Sequence, residues 1–217
     1  MIVRTGNPDV SGVLEWKRHN TEDAWNAVPM TFSDGNVLAA LPHQPPAGKL
    51  DYRVRLTAGT STSLVPEEGV VIRFKGDVPL FVLIPHVLAM FGGMLLATRA
   101  LLEALARGGD GARGTVLATT TLLVVGGLVL GPIVQKYAFG AFWTGWPLGT
   151  DLTDTKTLVA VLGWLPATVA FWRRRPGRAL VVVGWVVMMG VFLIPHSMFG
   201  SQLDWADTPA ASSHPNQ

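Results

Sequence analysis

The 217-residue chain contains no cysteine. That absence excludes disulfides, thiolate catalysis, Cys-ligated iron–sulfur clusters and thiolate zinc sites, and it leaves the redox compartment unread. Charge is scarce as well: 15% of the residues are charged against 49% apolar, and the mean hydropathy is positive. This balance points to the membrane class. The net charge of +2 and a pI of about 9.2 invite a nucleic-acid reading. The basic residues, however, form no stripe interleaved with aromatics, and many sit in loops flanking apolar runs. Catalytic signatures are missing too: there is no GxSxG, no P-loop, no HExxH, and no GxGxxG that opens a helix after a strand. The opening IVRTGNPDVSG has neither a basic n-region nor an apolar h-region, so no cleavable signal peptide is expected.

What is present is organised around Val78–Thr98, an apolar run whose only ionisable side chain is His86. About twenty apolar residues suffice for a helix to cross roughly 30 Å of hydrocarbon. Four such runs are expected as membrane helices, at about 78–106, 115–134, 157–172 and 179–199. The second carries Gly126-Gly127, where close helix approach is expected, and the third is interrupted by Pro166.

The preceding residues 1–77 alternate short apolar segments with turn signals and read as an extramembrane β domain. Strands are expected at Gly12–Arg18, Trp25–Phe32, Val37–Leu41, Leu50–Leu56 and Val70–Phe74. Asp34-Gly35 supplies a hairpin turn. Clean alternation places Leu50, Tyr52, Val54 and Leu56 on one face. Five short strands in this length suggest a small Ig-like β-sandwich. The expected fold is thus a β-sandwich head, a four-helix transmembrane bundle over 78–199, and a polar tail over 200–217.

Loop charges set the expected orientation. Arg99, Arg107 and Arg113 lie between the first two helices, and Arg173, Arg174, Arg175 and Arg178 between the last two. The positive-inside rule puts these loops in the cytoplasm of a bacterial inner membrane and the head and tail in the periplasm.

Two places could hold chemistry. The connection QKYAFGAFWTGWPLGTDLTDTK concentrates Tyr137, Phe139, Phe142, Trp143 and Trp146 among glycines. It reads as an interfacial belt or partner surface, with Asp151 or Thr153 capping the next helix. The sharper alternative is a lid over a pocket that Asp151, Asp154 and Lys156 would line. Second, Ile-Pro-His recurs at 84–86 and 194–196, so that His86 and His196 would share one half of the bilayer. An ionisable group within a span is costly and is a functional candidate. Two such histidines could ligate haem b or one metal ion, or bind a quinone carbonyl; packing or interface roles compete, and no third ligand accompanies them. No carboxylate is expected deep in any span, which makes transport a poor reading.

The segments GPIVQKYAFGAFWTGWPLGTDLTDTKT, PHVLAMFGGMLLATRALLEAL and LIPHSMFGSQLDW carry a resemblance over the whole chain. It resembles a family of bacterial membrane proteins with a small β head and four membrane helices. It is also similar to the accessory subunits of double-ringed photosynthetic reaction-centre–antenna complexes. The resemblance implies a non-catalytic accessory role beside a reaction-centre core and antenna helices, in contact with their pigments or lipids and with no cofactor of its own. A small haem or quinone protein and a membrane-anchored binding module are the alternatives.

Overall fold

The computed structural model describes residues 1–106 and 111–195, and the chain divides after Lys75 into a β unit and a helical unit.

The β unit contains β1 (Ile2–Arg4), β2 (Val10–Arg18), β3 (Asn26–Pro29), β4 (Thr31–Ser33), β5 (Asn36–Leu38), β6 (Lys49–Ala58) and β7 (Ser61–Arg73). They form two antiparallel sheets, ordered β1-β5-β4 and β3-β2-β6-β7. Register follows from alternation. Leu14 of β2 lies opposite Val54 of β6, and Trp16 opposite Tyr52, so both strands turn their apolar set to one face. Leu14, Leu50 and Val54 are fully buried there. On the other face Glu15 lies opposite Arg53 and is bonded by both Arg53 and Arg55. The β4–β5 turn has positive φ at Asp34 (50°) and Gly35 (78°), the backbone that a two-residue hairpin with the strands' own twist demands. The expected strand over Trp25–Phe32 is divided in two at Met30, whose N–H donates to the carbonyl of Gly12 on β2.

The helical unit contains α1 (Leu80–Ala106), α2 (Ala112–Leu123), α3 (Gly131–Phe139), α4 (Leu152–Trp172) and α5 (Arg178–Phe192). α2 continues through a π-helical turn, Val124–Leu130, into α3, so 112–139 is one rod and the described residues of the unit form four helices. Three of these, Leu80–Ala106, Ala112–Phe139 and Leu152–Trp172, are long and apolar enough to cross a membrane. α5 has 15 residues, about 22 Å at 1.5 Å per residue, short of a bilayer core of roughly 30 Å. Of the rest of the expected fourth span, 193–195 leave the helix after Phe192, and 196–199 lie outside the described residues.

Besides the early end of α5 and the start of β7 at Ser61 rather than Val70, two helix boundaries differ from the sequence expectation. The second helix extends from Ala112 to Phe139 rather than 115–134, because Pro132 falls where the π turn ends and the chain stays helical. α4 begins at Leu152 rather than Thr157, because Asp151 caps it: its carboxylate accepts from the Thr153 N–H at 2.7 Å.

The core of the helical unit is built on small residues. α1 buries Ala89, Gly93, Ala97, Ala100 and Ala104 on one stripe, and Trp164 of α4 fills the centre without exposure. Small residues let backbones approach, which in lipid replaces the hydrophobic drive for helix association. Cβ atoms at Gly126 and Gly127 would lie 2.8 Å from Ala89 Cβ and 2.5 Å from Thr157 Cγ2. Both positions therefore require glycine. At one end, Arg113 Nε donates to the Phe171 carbonyl at 3.2 Å, bringing the start of α2 to the end of α4.

Candidate functional site

The most polar interior of the helical unit lies where residues 140–151 fold over the start of α4. Gly140, in the left-handed region at φ 84°, ends α3. The chain then returns so that the Asp151 N–H donates to the Thr144 carbonyl at 2.8 Å, closing the loop on itself. Gly149 is confined inside it, since a Cβ there would lie 2.3 Å from the Thr144 oxygen.

Four buried side chains meet around this loop: Gln135, Asp151, Asp154 and Lys156. Asp154 Oδ2 accepts from the Thr144 N–H at 2.7 Å, the Gly145 N–H at 3.2 Å and the Thr144 hydroxyl at 3.3 Å. Gln135 Nε2 donates to Thr144 Oγ1 at 2.8 Å, while Asp151 spends one carboxylate oxygen on the helix cap. Lys156 Nζ donates to the Ile194 carbonyl at 2.7 Å, tying the start of α4 to the chain just beyond α5. Each of these buried polar side chains thus has a hydrogen-bond partner, as burial of a polar group demands. The arrangement is a clasp that holds the loop, and Asp151, Asp154 and Lys156 all belong to it.

Comparison with protein-family models, with curated proteins and with solved structures returns no match.

The aromatic residues expected together in this connection are divided: Tyr137 and Phe139 lie on the last turns of α3, and only Phe142, Trp143 and Trp146 lie on the loop. Tyr137, Phe142 and Trp146 are exposed, while Phe139 and Trp143 are half-buried. Trp143 Nε1 donates to the Trp146 carbonyl at 3.2 Å, and Lys136 Nζ sits 5.6 Å from the Phe142 ring centre. The clasp therefore presents Phe142, Trp146 and Leu148 outward on a backbone anchored from beneath by Asp154 and Thr155, the latter accepting from the Trp146 N–H at 3.0 Å.

The histidine of α1 has a different setting. His86 is half-buried against the π turn, and its Nδ1–H donates to the Gly126 carbonyl at 2.9 Å. The same carbonyl accepts the Gly131 N–H, the i to i+5 bond that defines the turn. With Nδ1 committed to a donor role, a neutral ring leaves Nε2 as an acceptor. The other expected ligand, His196, lies outside the described residues. Among the described residues no three His, Cys, Asp or Glu side chains are grouped to hold a metal ion.

Sequence reasoning passed over Gln135 and Thr144. Gln135 is the one carboxamide in the 112–139 rod, a polar side chain where a lipid-facing surface would exclude it, and that was the available signal. Thr144 carries none, because its role comes from the fold of the loop.

Proposed function

We propose that this chain is a non-catalytic structural subunit of a larger integral-membrane complex. The observation that carries this reading is the seam along α1. Phe81, Leu88, Leu95 and Leu102 repeat at seven residues, with Ile84 and Phe91 between them and Leu105 beyond, and all seven are exposed. A heptad of large apolar residues is the spacing with which one helix meets another. Meanwhile the polar groups of the unit's interior serve its own backbone: His86 bonds Gly126, Asp154 bonds the loop, and Lys156 bonds Ile194. A surface made for helices around an interior closed to substrates suits a subunit that fills space between others.

The resemblance of the chain directs the reading to a photosynthetic reaction-centre core and its antenna helices, with pigments and lipids as neighbours. On this reading the two antiparallel sheets are the layers of an Ig-like sandwich, α5 belongs to a fourth crossing, and the protein resides in a bacterial inner membrane. The Arg-bearing loops then face the cytoplasm and the β unit and tail the periplasm. Tyr137, Phe139, Phe142, Trp143 and Trp146 form a second contact region at the membrane interface.

A photo-reactive amino acid at Phe91 tests the seam. In native membranes it should cross-link to another integral-membrane polypeptide in high yield. Labelling of lipid alone would contradict the proposal.

A further inference from the structure

A groove of about 540 Å³ opens on the helical unit between α4 and α5. Leu162, Leu165, Val169 and Leu180 wall it, and Arg173 and Arg175 stand at its end. The first three follow one face of α4 at i, i+3 and i+7, so the trough runs along a helix long enough to span a membrane. Its charged end is fixed by the way α4 stops. Arg174 takes the left-handed conformation at φ 54°, the Arg174 N–H donates to the Phe171 carbonyl, and the Arg175 N–H donates to the Ala170 carbonyl at 2.9 Å. This is the Schellman stop, which reverses the chain within two residues. It leaves Arg173 and Arg175 lining the groove while Arg174 does not. Neither lining arginine has an ion-pair partner among the described residues, and no acidic side chain lines the trough.

We propose that this groove seats one anionic diacyl phospholipid, with an acyl chain along Leu162, Leu165 and Val169 and the phosphate between Arg173 and Arg175. The chemistry is complementary at both ends. An apolar trough within a spanning segment accepts hydrocarbon, and two guanidinium groups at the end of the span offer paired donors to a phosphate. Basic pockets between membrane helices recognise lipid head groups in this way. The site stands independently of the subunit reading, since it needs only these helices in a bilayer.

The test is native mass spectrometry of the delipidated full chain in detergent, titrated with dioleoyl-phosphatidylglycerol or dioleoyl-phosphatidylcholine. One phosphatidylglycerol should bind at least about tenfold more tightly than phosphatidylcholine. Replacing both Arg173→Gln and Arg175→Gln should weaken phosphatidylglycerol about 25-fold, about fivefold per arginine. Replacing Arg174→Gln and Arg178→Gln removes the same charge at the same end of α4 and α5 but outside the groove lining, and should change affinity by less than about twofold. Leu165→Trp, at an exposed position on the wall of the trough, should fill it and abolish the one-to-one adduct. Equal binding of the two lipids, equal loss in the two double variants, or displacement by millimolar inorganic phosphate would each overturn the assignment. The last outcome would mark a bare anion site with no part for the acyl chain.

Discussion

His86 and Gly126 are joined across α1 and the π-helical turn by one hydrogen bond, from Nδ1–H to the carbonyl oxygen at 2.9 Å. That carbonyl belongs to a turn that already departs from α-helical pairing, and the histidine gives it a second donor. His86→Leu should lower the stability of the detergent-solubilised protein by about 1 kcal/mol, the scale of an interhelical hydrogen bond in a membrane protein. His86→Asn, which keeps a donor, should recover part of the loss. Thermal unfolding followed by circular dichroism reads both. If His86 instead carried a haem, its loss would remove a Soret band from the native protein.

The glycines of the π turn should be intolerant of a methyl group. Gly127→Ala places a Cβ 2.5 Å from Thr157 Cγ2, and Gly126→Ala places one 2.8 Å from Ala89 Cβ. Each should cost about 1–3 kcal/mol by overpacking. Gly190→Ala, with nothing within 4 Å of the new Cβ, should be neutral or stabilising by up to about 1 kcal/mol. Comparable melting shifts for all three would contradict the close packing described for α1 and the π turn.

Asp154 organises the loop that carries the aromatic residues. Asp154→Ala removes the acceptor for two backbone N–H groups and the Thr144 hydroxyl, and should cost about 2–3 kcal/mol locally. Its signature should be faster amide exchange across 140–151, with exchange at the centres of α1 and α4 unchanged. Uniform acceleration through all helices would mean that the clasp is part of the global core.

In the β unit, Asp23 is held below the usual carboxylate range, first by its hydrogen bond with Arg18 and further by the Thr21 hydroxyl, the Arg18 charge and Lys17, against a smaller opposing effect of burial. The folded carboxyl therefore releases its proton more readily than the unfolded one, so the pair's contribution is complete at neutral pH. It is lost as pH falls through the folded value, in the acid range below about 4. Arg18→Gln should be less stable than the parent near pH 7, and the difference should shrink as pH falls through the folded value, by urea unfolding at each pH. A difference that persists undiminished in acid would rule out the ionised pair as its source.

Much of this molecule could be read from local chemistry. The apolar runs are visible because hydrocarbon-spanning helices need length and little else, and Asp34-Gly35 marks its hairpin because few residues accept positive φ. Leu14, Leu50 and Val54 are legible as core from alternation alone. The apolar run alone starts α4 too late, at Thr157, but Asp151 was legible as its cap; the burial of Asp154 and Lys156 was not, because Thr144 and Ile194 supply their partners only in the fold. β1 escaped notice because a three-residue strand has too little pattern, and its partner β5 lies more than thirty residues away. The π turn gave no signal of its own: Gly126-Gly127 marks close approach, and Ala89 and His86 meet Gly126 there, but nothing in the local sequence marks the i to i+5 pairing.

The most direct measurement of the central claim is gentle extraction from the native membrane, followed by size-exclusion chromatography with in-line absorption and mass determination. A structural subunit should elute far above its own 23.3 kDa, in fixed proportion to other integral-membrane polypeptides, with pigment bands if the host is a photosynthetic complex. A lone small particle would contradict the account: with a Soret band it would make the histidines cofactor ligands, and without colour it would leave a membrane-anchored binding module.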